Sequence, residues 1–190
     1  MGDPRITLEI EAGKVTIEIL VSRAPLVAGY VLRLVDDGIY DGSAFYRSTA
    51  LGVPNGRRLV QGGPLAPVFA PDGVGKGPAP ALGLLEVFET TTESGLLHER
   101  GTVSLARDLV DTGHAIPELF FCLGPFPELD EDGRTEPDTR GFPAFGRVTQ
   151  GLDLLSDIAD RPTNGHSPVA RLANEILSEP VLIQRVVRHT

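Results

Sequence analysis

The sequence predicts an all-β domain, a closed antiparallel β-barrel capped by two helices. Three observations carry that expectation. Glycine and proline punctuate short apolar runs from Gly38 to Val148, a pattern of many short strands and loops. Helical periodicity is confined to two stretches, near residues 27–35 and 152–158. A β-branched segment, Val181 to Val187, is placed to pair back with an alternating hairpin at the start of the chain, and closing a sheet on itself removes its exposed edges.

The hairpin comes first. Ile6 to Ile10 and Val15 to Ile19 alternate apolar and polar side chains across Ala12-Gly13, as two strands with one buried face do. The period then changes. Val27, Tyr30, Val31, Leu34 and Val35 recur at helical spacing, with Ser22 suited to cap the helix, Pro25 in its first turn and Gly38 beyond its end. A second helix is expected over Leu152 to Ile158, and Val181 to Val187 is the last strand. Gly52 to Arg58, Gly73 to Pro80 and Pro125 to Gly141 read as surface loops of one barrel.

Composition narrows the function classes. A chain of 190 residues, 41% hydrophobic, is long enough to bury its own core, and residues 1–190 read as a single domain. A formal charge of −9 without a lysine and arginine cluster argues against a nucleic-acid partner, whose phosphates need a basic patch. The longest apolar stretch, Leu26 to Val35, is interrupted by Arg33 and is too short to enter a bilayer as a span. No signal-peptide pattern precedes Asp3-Pro4, so a cytoplasmic location is expected, the alternative being a periplasmic mature chain whose signal peptide has been removed. A monomer is expected. The lone cysteine, Cys122, lies in an apolar run and reads as a small core residue.

The chemistry-bearing stretch is Phe45-Tyr46-Arg47, followed after a glycine-rich excursion by Leu59-Val60-Gln61-Gly62-Gly63. It puts a planar cationic donor and an amide on two apolar segments joined by one loop. That pairing suits holding a peptide bond, and no nucleophile accompanies it. His98, His114, His166 and His189 show no metal-ligand spacing with Cys122, and no serine has a nucleophile-elbow setting, so neither metal nor cofactor is expected. Glu128-x-Asp130-x-Asp132-Gly133 has a faint calcium-loop look. Its first ligand is atypical and Thr139 stands at the closing position, so it reads as a solvated acidic loop.

The two-strand motif resembles the cyclophilins, peptidyl-prolyl cis-trans isomerases with Phe-His-Arg, a loop and Gln-Gly-Gly. Other blocks agree in the same order. Gly101-Thr102-Val103-Ser104-Leu105-Ala106-Arg107 is similar to the family's Gly-x-x-Ser-Met-Ala stretch, Glu118-Leu119-Phe120-Phe121 to its Gln-Phe-Phe, and Phe145-Gly146-Arg147-Val148 to its Phe-Gly-Lys-Val. The resemblance implies a cyclophilin-like barrel that isomerises X-Pro bonds in peptides or partly folded proteins. It further implies that Arg47 is the catalytic arginine, that Gln61 holds Arg47 or the substrate carbonyl, and that Leu59, Arg107, Glu118, Phe120, Leu129 and Phe142 contact substrate.

Several matched positions depart from the family's pattern. Arg58-Leu59 stands for Phe-Met, Arg107 for asparagine, Glu118 for glutamine, Glu128 for tryptophan or phenylalanine, and Phe142 for histidine or tyrosine. These changes keep open an alternative, a catalytically weak module that binds proline-containing segments. They also carry two finer expectations. Glu118 should lie within roughly 4 Å of the guanidinium of Arg107 or Arg47, because a partly buried carboxylate needs a partner. Cyclosporin-type ligands, expected by resemblance to rely on the tryptophan, should bind weakly.

Overall fold

The computed structural model describes residues 2–52, 56–69 and 83–189. Of the expected loops, residues 53–55 and the whole of Gly73 to Pro80 lie outside this set. The chain opens with the hairpin of β1 (Arg5–Ile10) and β2 (Gly13–Ile19), in which Ile10 faces Gly13 across the two-residue turn Glu11-Ala12. Its alternation is the one read from the sequence: Ile6, Leu8, Val15, Ile17 and Ile19 are all buried.

The first helix, α1 (Pro25–Asp36), buries Val27, Tyr30, Val31, Leu34 and Val35. Ser22 does not cap it. Ala24 occupies the N-cap with no side-chain bond, and the Glu89 carboxylate supplies the missing acceptor from 62 residues away, taking the N–H groups of Leu26 at 2.7 Å and Val27 at 3.2 Å. A carboxylate there also meets the positive end of the helix dipole.

After α1 come β3 (Ala44–Thr49) and β4 (Leu59–Gly63), two single-turn helices α2 (Ala66–Phe69) and α3 (Thr91–Ser94), and then β5 (Thr102–Arg107) and β6 (Ala115–Cys122). A 3-10 turn at Pro127–Leu129 leads to β7 (Ala144–Gln150) and α4 (Leu152–Ala159); β8 (Ile176–Leu182) and β9 (Arg185–His189) end the chain. Four helices are therefore described where two were expected. The extra pair are one turn each, below the length at which helical periodicity is visible in a sequence.

Among the described strands every pairing is antiparallel, in the order β8-β3-β4-β6-β5-β7-β2-β1-β9. The two ends of that order are one stretch of chain, since β8 and β9 are separated only by Ile183 and Gln184. Pairing with β3 on one side and β1 on the other, this stretch closes the barrel into eight strand positions. The predicted final strand, Val181 to Val187, thus straddles the bend between β8 and β9, and the observed one extends beyond it at both ends. It starts earlier because Ile176 and Leu177 are already buried.

Alternation sorts side chains between two regions. Phe45 of β3, Val60 of β4, Val103 and Leu105 of β5, and Leu119 and Phe121 of β6 point into the main core, where Phe45 and Phe121 meet edge to face at 5.5 Å. Their neighbours Leu59, Phe120 and Cys122 pack in a separate cluster on the outer face. Cys122 is buried there, and burial raises its thiol pKa. Among the described residues no helix is long and apolar enough to cross a membrane.

Candidate active site

The outer face of β3, β4, β6 and β5 carries the site. Arg47 is the register partner of Gln61, Gln61 of Phe120, and Phe120 of Ser104, so four side chains from four strands stand in one row. Two residues expected to be catalytic and an aromatic expected to contact substrate are thereby brought together by strand pairing.

A bulge adjusts the row. The β3–β4 register shifts between Phe45 and Arg47, leaving Tyr46 as the extra residue. Without the bulge, strict alternation would send Tyr46 and Arg47 to opposite faces. With it, both reach the same amide. Arg47 Nη1 donates to Gln61 Oε1 at 2.8 Å, and Gln61 Nε2 donates to the Tyr46 hydroxyl at 2.9 Å. The Tyr46 ring is fixed from outside by stacking on Phe69 of α2, 4.7 Å between centroids and 4° from parallel.

Arg47 has a second anchor. Its Nε and Nη2 donate to one oxygen of Glu175 at 2.8 and 2.5 Å, while the other oxygen accepts from the Thr49 hydroxyl at 2.8 Å. Three of the five guanidinium N–H groups are thus engaged, and two have no partner among the described residues.

Next to the row lies the apolar cluster of Leu59, Phe120, Cys122, Phe126, Leu129 and Phe142, with Leu51, Ala106 and Leu109 packed against it. Leu59, Phe120, Leu129 and Phe142, all expected to contact substrate, share this cluster. Phe120 is held on two sides, edge-on to Phe142 at 5.7 Å and stacked on His98 at 5.6 Å. His98 is fixed in turn by Asp130 Oδ1 at 2.6 Å from Nδ1 and by the Ser104 hydroxyl at 3.1 Å from Nε2. Asp130 therefore does not belong to a solvated acidic loop, since its carboxylate faces inward onto a buried histidine.

Arg107 and Glu118 sit differently from expectation. The Arg107 side chain is wholly buried and turned toward the loops beyond the groove. There it donates to the carbonyls of Gly113 and Gly141, each at 2.7 Å, and forks onto Asp138 at 3.0 and 2.5 Å. Asp138 answers with a carboxyl held down to about 2, chiefly by that guanidinium.

Glu118 meets no guanidinium: among the described residues none of its bonds is an ion pair. It is buried, and its carboxylate accepts from the Tyr46 hydroxyl at 2.8 Å and from the Leu65 N–H at 2.7 Å. Glycine makes the space. A Cβ on Gly63 would come within 2.8 to 2.9 Å of the Glu118 carboxylate, and one on Gly62 within 2.7 Å of the Ala44 carbonyl. Burial pushes the Glu118 carboxyl up to about 7 against the lowering effect of its two donors.

Glu128, standing where a tryptophan was expected, is ion-paired with Arg57, whose guanidinium lies 4.4 Å over the Phe126 ring and also donates to the Pro125 carbonyl at 2.6 Å. Sequence reasoning passed over Tyr46, Arg57, Glu175 and the packing role of His98. Tyr46 stood inside the motif, and the bulge that turns it toward Gln61 has no local signal. Glu175 lies 128 residues from Arg47, beyond any spacing rule.

The guanidinium, the amide and the aromatic cluster thus share one outer face of a closed barrel, and sequence comparison gives the barrel its family. The profile of the cyclophilin type peptidyl-prolyl cis-trans isomerase/CLD family matches residues 5–187, so the chain belongs to that family of isomerases. It is 29% identical over 177 residues to a peptidyl-prolyl cis-trans isomerase-like 2 of Gibberella zeae, covering 93% of this chain but only 26% of that longer protein. With the peptidyl-prolyl cis-trans isomerase cyp18 of Streptomyces antibioticus it shares 27% identity over 179 residues, 94% of this chain and 95% of that one. Its fold is similar to the crystal structure of a cyclophilin type peptidyl-prolyl cis-trans isomerase of Cryptosporidium parvum, with a TM-score of 0.65 at 18% identity, covering 99% of this chain and 98% of that chain.

Proposed function

We propose that this chain is a peptidyl-prolyl cis-trans isomerase acting on X-Pro bonds of peptides and folding proteins, with Arg47 stabilising the twisted amide. The observation that carries the reading is the row Arg47, Gln61, Phe120, which sets a guanidinium beside an aromatic floor across three paired strands. Amide resonance opposes rotation with a barrier of about 18 to 20 kcal/mol. As the bond twists, the prolyl nitrogen pyramidalises and gains a lone pair able to accept a hydrogen bond. A guanidinium N–H aimed there favours the twisted state over either planar one, which is stabilisation selective for the transition state. Phe120, steadied by His98 and Phe142, offers its face to the pyrrolidine ring. Nothing covalent is required.

The alternative, a weakly catalytic module that binds proline-containing segments, draws on one observation. Glu175 already partners two of the Arg47 donors, and a neutralised guanidinium polarises less. A prolyl-peptide isomerisation assay decides between the two. The parent protein is expected to shorten the slow phase, and Arg47→Ala to remove most of the acceleration. Peptide binding without acceleration by the parent protein would leave the binding module.

A further inference from the structure

We propose that Glu118 and Tyr46 are positioning residues for Arg47, forming a one-way hydrogen-bond relay that holds the Gln61 amide with its oxygen toward the guanidinium. The inference rests on the reading of Arg47 given above and extends it to residues whose side chains reach the guanidinium only through Gln61.

Both ends of the relay are donors that cannot reverse. At one end the Leu65 N–H points at Glu118 Oε1, and at the other Arg47 Nη1 points at Gln61. Between them each direction follows. An ionised Glu118 only accepts, so the Tyr46 hydroxyl donates to it, and the phenolic oxygen is left to accept from Gln61 Nε2. Gln61 must then present Oε1 to Arg47. The order is coherent in this sense alone.

Protonation of Glu118 breaks it. The Leu65 N–H keeps Oε1 an acceptor, so the added proton faces the Tyr46 oxygen from Oε2. The Tyr46 hydrogen has to swing toward Gln61, the amide turns over, and an NH2 group is set against the guanidinium. Arg47 then keeps Glu175 and loses its neutral partner.

The titratable groups around Glu118 leave it as the proton that moves. Tyr46 of β3, Tyr30 of α1 and Tyr40 in the turn after α1 all feel its charge, and burial raises the pKa of all three phenols. From β4 Gly63 presents no side chain, and Leu65 offers only its backbone. Arg47 and Arg107 face Glu175 and Asp138. The Glu118 carboxyl, pushed up by burial to about 7, changes charge around neutral pH.

Two measurements test this. In the isomerisation assay kcat/KM of the parent protein is expected to rise with pH through the Glu118 transition by about fivefold, the factor one net hydrogen bond supplies. Tyr46→Phe, which keeps the ring and deletes the link, should flatten the profile at the lower level, and Glu118→Gln should flatten it as well. A pH dependence retained by both folded variants, or a flat parent profile, overturns the relay. Independently of catalysis, the Gln61 side-chain amide resonances of the parent protein are expected to shift with the Glu118 titration, and in Tyr46→Phe to stay still. Gln61 resonances indifferent to pH in the parent protein overturn the relay even if the variants do not fold. A parent protein without isomerase activity whose Gln61 resonances titrate overturns the catalytic reading and keeps the relay.

Discussion

Arg47 donates twice to one carboxylate oxygen of Glu175, so the guanidinium is oriented from the side opposite Gln61. Both side chains are partly exposed, 17% and 24%, and an ion pair so placed contributes at most about 1 kcal/mol to stability. Its effect is on geometry, where small misplacement of a catalytic group costs rate. Glu175→Ala is expected to leave the denaturant midpoint almost unchanged and to lower kcat/KM about tenfold, mainly through kcat. An unchanged kcat would mean that Gln61 alone suffices.

That pair was invisible in the sequence, and the reason is physical. Periodicity reports which face a residue takes within one strand, so the burial of Ile6 and Val15 was readable, whereas Arg47, Gln61 and Phe120 were assigned to the site by resemblance. Partners brought together by barrel closure leave no local trace. Glu175 reaches Arg47 because β8 pairs with β3, and Glu89 caps α1 although Ser22 had the better residue type. Glu118 was expected beside Arg107 or Arg47 because their matched positions share a groove. Each instead found partners on its own side, Arg107 among loop carbonyls and Asp138, Glu118 in the space left by Gly63.

Arg107 is expected to be structural. Its guanidinium ties the turn at Gly113 to the loop at Asp138 and Gly141, and it lies 5.3 Å from the Phe88 ring. Arg107→Ala would strand two carbonyls and a carboxylate. Breaking such a pair from its buried side destabilises by about 3 kcal/mol. Equilibrium unfolding in urea measures the loss, and a change below about 1 kcal/mol would mean that water replaces the guanidinium at these carbonyls.

Cyclosporin-type ligands should bind weakly. The place expected of an indole holds the Glu128 carboxylate, which gives neither ring area nor an N–H donor and is already paired with Arg57. Calorimetry is expected to show no saturable heat in the micromolar range. Glu128→Trp is not expected to restore tight binding, because the Arg57 guanidinium stays over the Phe126 ring beside the new side chain. Tight binding by the parent protein would show that the Phe121 to Asp130 segment does not occupy the matched position.

Stability should depend on pH with a sign set by Glu118. Its carboxyl lies at about 7 in the folded protein against 4.5 when unperturbed, so between those values the native state holds a proton that the unfolded chain has released. Stability from this group is therefore fully present below the unfolded value, falls as pH rises, and is lost once pH passes the folded value. Asp138 and Glu9, whose carboxyls are lowered to about 2, act in the opposite sense, but only as pH falls below the ordinary carboxylate range. They leave the neutral window to Glu118. Glu118→Gln removes the titration, so on going from about pH 5 to about pH 8 the parent protein is expected to lose about 2 to 3 kcal/mol more unfolding free energy than the variant. Denaturant titrations across that range give both curves. Parallel curves would mean that Glu118 stays ionised throughout, held down by the Tyr46 hydroxyl and the Leu65 N–H more firmly than its burial pushes it up.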